Sequence, residues 1–161
     1  MNAEVVITRL MNEHGDSILR LCALYLRDSI LAEDAAQETF LRAYRAIDRF
    51  RGDSSPKTWL TRIAINVCKD MSHKRSRQPL IFEKLPERAD DSFSSDDSVL
   101  DEVMQLPVKY RTVTLLRYYQ ELDISEIAQV LGITRNAASV RLNRAREMLR
   151  LRLKTWYFDN P

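Results

Sequence analysis

The chain has 161 residues, enough for one ordinary domain or two small ones. Lys and Arg number 25 against 23 Asp and Glu, a net charge of +2, and 45% of the residues are apolar, which excludes both a disordered chain and a membrane-embedded one. With only 3 Gly and 5 Pro, the composition disfavours turn-rich folds, favours long helices, and leaves no G-x-x-x-x-G-K or G-x-G-x-x-G stretch to cradle a nucleotide phosphate.

The small net charge argues against a nucleic-acid binder only if the charge is evenly spread, and it is not. Residues 1–77 carry a net +3, residues 78–102 a net −6 and residues 103–161 a net +5. The middle stretch also holds Pro79, Pro86 and the run DDSFSSDDS. Low hydrophobicity and self-repelling charge make it a tether. We therefore expect an all-α protein of two small helical domains, 1–77 and 99–161, joined by a flexible acidic linker at 78–98. No apolar run approaches the roughly 18 residues of a membrane span. MNAEVVITRL has no basic stretch followed by an apolar one, so neither a leader nor membrane insertion is expected. Cys22 and Cys68 read as buried reduced thiols, with a disulfide or redox switch as the alternative.

In chain order, Leu10, Ile18, Leu21, Cys22 and Tyr25 suit one buried stripe of a first helix. Asp28 or Ser29 can cap the next. On that second helix Ala36, Phe40, Ala43, Ile47 and Phe50 recur at helical spacing and form the expected core face. Asp34, Gln37, Glu38 and Leu41 lie on another face, either a solvated one or a docking face for a basic helical partner. RGDSSPK then reads as a loop. The third helix has an expected core of Leu60, Ile63, Ala64, Val67 and Met71. Arg62, Asn66, Lys69, His73 and Arg77 stand opposite, with Lys74 and Arg75 beside them. A basic stripe containing an amide suits a helix lying against nucleic acid, or an ordinary solvated face interrupted by one acid, Asp70. Trp59 reads as core. His14 and His73 have no ligand companions at useful spacing, so no metal site is assigned.

In the C-terminal part, Val99–Leu106 is a short amphipathic helix ending at Pro107, and VKYRTVTLLRYYQEL a second helix. Asp123, Ser125 and Glu126 mark a third helix start. Ile127, Ala128 and Leu131 form its core face, Gly132 ends it, and Thr134 caps a fourth. Small Ala128 at a helix crossing, a turn at Gly132 and a basic second helix are a helix-turn-helix signature. That second helix buries Ala138, Leu142, Ala145 and Leu149, with Leu142 taking the core slot beside Arg141. It turns Asn136, Ser139, Val140, Asn143 and Arg144 outward.

Taken together, the two halves resemble a known family. AEDAAQETFLRAYRAIDRFRGDSSPKTWLTRIAINVCKD resembles region two of the extracytoplasmic-function (group 4) sigma factors of bacterial RNA polymerase, and LPVKYRTVTLLRYYQELDISEIAQVLGITRNAASVRLNRAREMLR resembles their region four. The likeness spans about Leu10 to Leu151. It implies a dissociable specificity subunit, not an enzyme and without a cofactor, that carries core polymerase to promoters and opens them. Asp34, Gln37 and Glu38, with Phe40 and Leu41 nearby, look like the stretch that docks on the β′ clamp helices. The β subunit is a further implied partner, as is an anti-sigma factor that would hold this cytoplasmic protein at the membrane. Arg51, Gly52, Asp53, Ser54, Ser55 and Lys57 look like the loop that captures a flipped base of the minus-ten element. Arg62 and Asn66 would line that element, and Lys69, Lys74 and Arg75 would hold phosphates. Arg135, Asn136, Ser139, Val140, Asn143 and Arg144 are the candidate minus-thirty-five contacts. Here the chain departs from the family: many members carry Gly-Thr-Val and then a basic residue, whereas this one has Asn136-Ala137-Ala138-Ser139. By the same likeness the acidic linker would thread the RNA exit channel. The competing class is a helix-turn-helix regulator that acts without core polymerase.

Overall fold

In the computed structural model, which describes residues 2–77 and 97–159, every regular element is a helix. The chain divides into two units, Met1–Ala89 and Asp90–Pro161. The expected linker lies outside the described residues except for Asp97 and Ser98, which begin a helix.

The first unit is built from three long helices. Asn2 opens α1 (Ala3–Leu26) by accepting the Glu4 N–H at 3.0 Å. The helix stops where Arg27 enters the left-handed region at φ 55°. Asp28 follows in extended geometry and accepts the N–H groups of Ile30 and Leu31, both at 3.0 Å, which starts α2 (Ser29–Ala46). A 3₁₀ turn, Ile47–Arg49, leads into the loop, and α3 (Pro56–Arg77) begins with proline at its first position. Ser55 Oγ accepts the Thr58 N–H at 3.1 Å and caps that end.

The expected stripe of α1 is buried in full, with Ile7, Leu24 and Leu26 added to it. On α2 the buried face is rotated. Ala32, Ala35, Thr39, Phe40 and Ala43 are inside, whereas Ala36, Ile47 and Phe50 are half-buried. On α3, Thr61, Ile65 and Cys68 join Leu60, Ala64 and Val67, and Ile63 and Met71 are half-buried. The reason is common to both: each of the three helices packs against the other two. A helix with two neighbours buries a wider arc than one stripe. Threonine enters that arc because its hydroxyl bonds back to its own helix, Thr39 Oγ1 to the Ala35 carbonyl and Thr61 Oγ1 to the Lys57 carbonyl, both at 2.7 Å. Each large apolar chain such as Leu21 or Leu60 contributes about 1.5–3 kcal/mol by leaving water.

The second unit has four helices: α4 (Asp97–Met104), α5 (Val108–Tyr118), α6 (Ile124–Leu131) and α7 (Arg135–Asp159). α5 ends at Tyr118, four residues before the expected Leu122, and the chain turns through Glu121 at φ 57°. Asp123 then forms a capping box. Its Oδ1 accepts the Glu126 N–H at 2.8 Å, and Glu126 Oε1 accepts the Asp123 N–H at 3.0 Å. Gly132 ends α6 at φ 65°, and the Ile133 N–H returns to the Ala128 carbonyl at 3.1 Å. Thr134 Oγ1 accepts the Ala137 N–H at 3.0 Å and opens α7. The core gathers Val103, Leu115, Leu116, Leu122, Ile127, Ala138, Leu142 and Ala145, while Leu149 is half-buried. Arg152 of α7 donates to Glu102 Oε2 at 2.9 Å and to Gln105, which fastens α4 across the far end of α7.

Candidate functional site

Three surfaces carry the candidate residues, two on the first unit and one on the second. On α2, Asp34, Gln37 and Leu41 are exposed, Leu41 at 51%. The same spacing runs on in both directions beyond the residues that the sequence pattern singles out: Ile30 at 73% and Tyr44 at 49% continue the row. The result is a single exposed line, Ile30–Asp34–Gln37–Leu41–Tyr44, with apolar groups at both ends and a carboxylate and an amide between. A second apolar period offset from the core face was the available signal. Phe40 is only 6% exposed and belongs to the core, so it supports this surface from behind. Glu38 is half-buried, and its Oε1 accepts from Arg42 Nε at 3.1 Å.

Arg42 also reaches across to α3, with Nη1 at 3.2 Å from Asp70 Oδ2. Burial works against the Arg42 charge, but its bonds to Glu38 and Asp70 outweigh that and hold the guanidinium above its ordinary range. Asp70 is the one acid that interrupts the basic stripe of α3, and Arg42 occupies it.

The second surface is the loop 51–55 with the exposed side of α3. Arg51, Gly52, Asp53 and Ser55 are exposed and Ser54 is half-buried. Gly52 sits at φ 76°, where a side chain would be strained. Phe50 and Trp59 bracket the loop with ring centroids 4.7 Å apart, so Trp59 braces the loop from the start of α3. Lys57 lies in the first turn of α3, half-buried. Arg62, Asn66, His73 and Lys74 are exposed, and Lys69 is half-buried beside them. Arg75 is also half-buried, with Nη1 donating to the Leu26 carbonyl at 3.3 Å. It ties α3 to the C-terminal end of α1, where a cation complements the helix dipole. The remainder is a cation-rich face with an amide at its centre, suited to phosphates and base edges.

The third surface is the outer side of α7. Arg135, Asn136, Val140, Asn143 and Arg144 are exposed and Ser139 is half-exposed, on the face away from Ala138, Leu142 and Ala145. The helix-turn-helix joint at Gly132 aims the N-terminus of α7 outward. Two amides and two guanidiniums on that side offer bidentate donor and acceptor patterns of the kind that read purine edges in a major groove. Cys22 and Cys68 lie outside all three surfaces. Both are fully buried and reduced, and the hydrogen bond to Cys22, together with burial, pushes the Cys68 thiol well above its usual range.

Comparison with known proteins places these surfaces in context. Residues 10–78 match the Sigma-70 region 2 family, and residues 96–149 match the Sigma-70, region 4 family. The chain is 34% identical to the ECF RNA polymerase sigma factor SigW of Bacillus subtilis, over 90% of this chain and 87% of SigW. It is 35% identical to the RNA polymerase sigma-H factor of Pseudomonas aeruginosa, over 87% of this chain and 82% of that protein. Among solved structures, the sigma factor RpoE from Bartonella quintana, in complex with the anti-sigma factor NepR, shares the fold with a TM-score of 0.79 at 21% identity, covering 91% of this chain and 96% of that one. CnrH in complex with the cytosolic domain of CnrY gives 0.71 at 22%, covering 94% and 90%. Two sigma-region matches in order, and relatives above 30% identity along nearly their whole length, establish that the chain belongs to the extracytoplasmic-function sigma factors of RNA polymerase.

Proposed function

We propose that this sigma factor is of group 4 and works as a dissociable, non-catalytic specificity subunit in the cytoplasm. Its α2 row Asp34–Gln37–Leu41, with Glu38 alongside and Phe40 behind, docks on the β′ clamp helices of core polymerase. Carboxylates and an amide flanked by apolar groups complement a basic coiled coil. The loop 51–55 and Lys57 capture an unstacked base of the minus-ten element, while Arg62 and Asn66 line it and Lys69 and Lys74 hold phosphates. Arg75 adds charge at the edge of that face. Flipping a base costs a few kcal/mol, and the pocket contacts to the extruded base offset it. Promoter opening is then binding energy for a separated strand rather than a chemical step. On α7, Arg135, Asn136, Ser139, Val140, Asn143 and Arg144 read the minus-thirty-five duplex.

The observation that carries this reading is the pairing, on one three-helix unit, of an acidic–apolar row on α2 with a cationic, amide-bearing face on α3. A helix-turn-helix regulator acting alone would have no use for either. The solved neighbours RpoE and CnrH were each captured with a partner, the anti-sigma factor NepR and the cytosolic domain of CnrY. We extend that to this chain, whose exposed α2 row offers such a partner a place to compete with polymerase. No helix among the described residues is long and apolar enough to cross a membrane. Run-off transcription tests the reading. Purified core polymerase should initiate at a distinct promoter set only when this chain is added, and the chain alone should bind those promoters weakly. Equal promoter binding with and without core would refute it.

A further inference from the structure

Arg146 stands on the exposed side of α7, three residues beyond Asn143. Its Nε donates to the Tyr118 hydroxyl at 2.8 Å, and its guanidinium carbon lies 5.8 Å from the centroid of the Tyr118 ring. Its Nη1 reaches Asn143 Oδ1 at 3.5 Å. Tyr118 is the last residue of α5, outside the helix-turn-helix, and is 52% exposed. The next two arginines along α7 are held differently. Arg150 Nη2 lies 2.7 Å from Glu147 Oε1, and Arg152 Nε lies 2.9 Å from Glu102 Oε2. Those two are compensated by carboxylates, whereas the partners of Arg146 among the described residues are a phenol and an amide, both neutral. Arg146 is therefore ordered by a second helix while its charge stays uncompensated. A guanidinium has five N–H donors, and these two bonds engage two of them. The Tyr118 oxygen accepts from Arg146 and keeps its own O–H to donate.

We propose that Tyr118 and Arg146 together form a backbone-phosphate site for duplex DNA, contributed jointly by α5 and α7 at the C-terminal end of the DNA-facing side of α7. This rests on the reading that α7 lies on the minus-thirty-five duplex. A phosphodiester needs a cation and convergent donors already in place, and this pair supplies both from two elements. Such a contact carries no sequence information. It fixes the roll and register of the reading helix, so that Asn143 and Arg144 meet base edges at a set depth.

The test uses holoenzyme reconstituted from core polymerase and the full chain, on a promoter duplex selected from a random pool by the wild-type holoenzyme, with affinity measured across salt concentration. Arg146→Gln should weaken binding by one common factor on strong and degenerate promoter sequences, and should reduce the slope of log affinity against log salt by about 0.9. Tyr118→Phe should keep the slope and lose about threefold in affinity, the share of one hydrogen bond. Arg146→Lys should also keep the slope, because the charge remains. Both side chains are exposed, so thermal melts of the free variants should match the wild type and serve as the control for folding. An unchanged slope for Arg146→Gln, while Arg144→Gln still loses discrimination at a base position, makes the pair internal packing and overturns the proposal. Loss confined to one base position overturns it too, since Arg146 would then read a base. If Arg146→Gln leaves the slope unchanged and Arg144→Gln leaves discrimination among promoter sequences unchanged, the placement of α7 on DNA fails, and the proposal fails with it.

Discussion

Gly15 sits in the middle of α1, and a methyl group added there would meet nothing within 4 Å. It contrasts with Gly132, whose φ of 65° ends α6 and makes any side chain costly. Replacing Gly15 by Ala should therefore raise the stability of the first unit by about 0.5–1 kcal/mol, because the unfolded chain loses freedom and the folded one loses nothing. Urea unfolding should show a higher midpoint at unchanged slope. Cys68 permits a second prediction. Its thiol is pushed up by the bond to Cys22 and by burial, so the folded protein holds that proton more tightly than the unfolded chain does. The resulting stability is complete below the unfolded thiol value of about 8.5 and declines as pH rises above it. Urea midpoints should fall from about pH 8.5 upward, and both thiols should resist alkylation at neutral pH until the chain is unfolded. Rapid alkylation of the native protein would contradict this burial.

Among the elements, α6 is the shortest whose ends are both visibly secured, by the Asp123–Glu126 box at one end and Gly132 at the other. An eight-residue helix has little intrinsic stability, so its caps carry a large share. Asp123→Ala should destabilise it by about 1 kcal/mol, whereas Asp123→Asn should retain most of the cap. Hydrogen exchange across α6 should then accelerate about fivefold in the alanine variant only. The same two signals, an acidic cap and a glycine, made this helix legible from sequence. The sequence of its neighbour α5 reads as helical for four residues beyond Tyr118, because Tyr119, Gln120, Glu121 and Leu122 have no proline or glycine among them. What stops α5 is a left-handed turn at Glu121, together with the burial of Leu122 and Gln120, and both depend on packing.

At the scale of the whole molecule, the net charge of +2 is a cancellation between two basic ends and an acidic middle. On the first unit, acidic and basic functions are held on separate helices: the exposed row of α2 and the exposed face of α3. This predicts that the two can be lost independently. Glu38→Lys should weaken core-polymerase association about tenfold in a competition pull-down, by reversing charge where a basic partner approaches. Asn66→Ala should leave that association intact and lower open-complex formation about tenfold, the effect of losing one amide-to-base contact. A variant that lost both activities together without unfolding would mean that the two surfaces do not act separately.

The sequence by itself determined the helical class, the cap at Thr134 and the helix starts near Asp28–Ser29 and Asp123–Glu126, the helix-turn-helix joint, and which residues of α3 and α7 are cationic, because each is a matter of local chemistry or of one period along one helix. Three features were decided only by tertiary structure. The buried face of α2 turned toward Ala35 and Thr39, since α2 is flanked by two helices and threonine hydroxyls satisfy themselves on their own backbone. Asp70, which reads as a break in the basic stripe, is taken up by Arg42 from another helix, 28 positions away. Arg146 is held by Tyr118, likewise 28 positions away, and no periodicity links them. Pairings of that kind depend on how helices cross, and the crossing is set by the shape of the packed core rather than by any stretch of sequence.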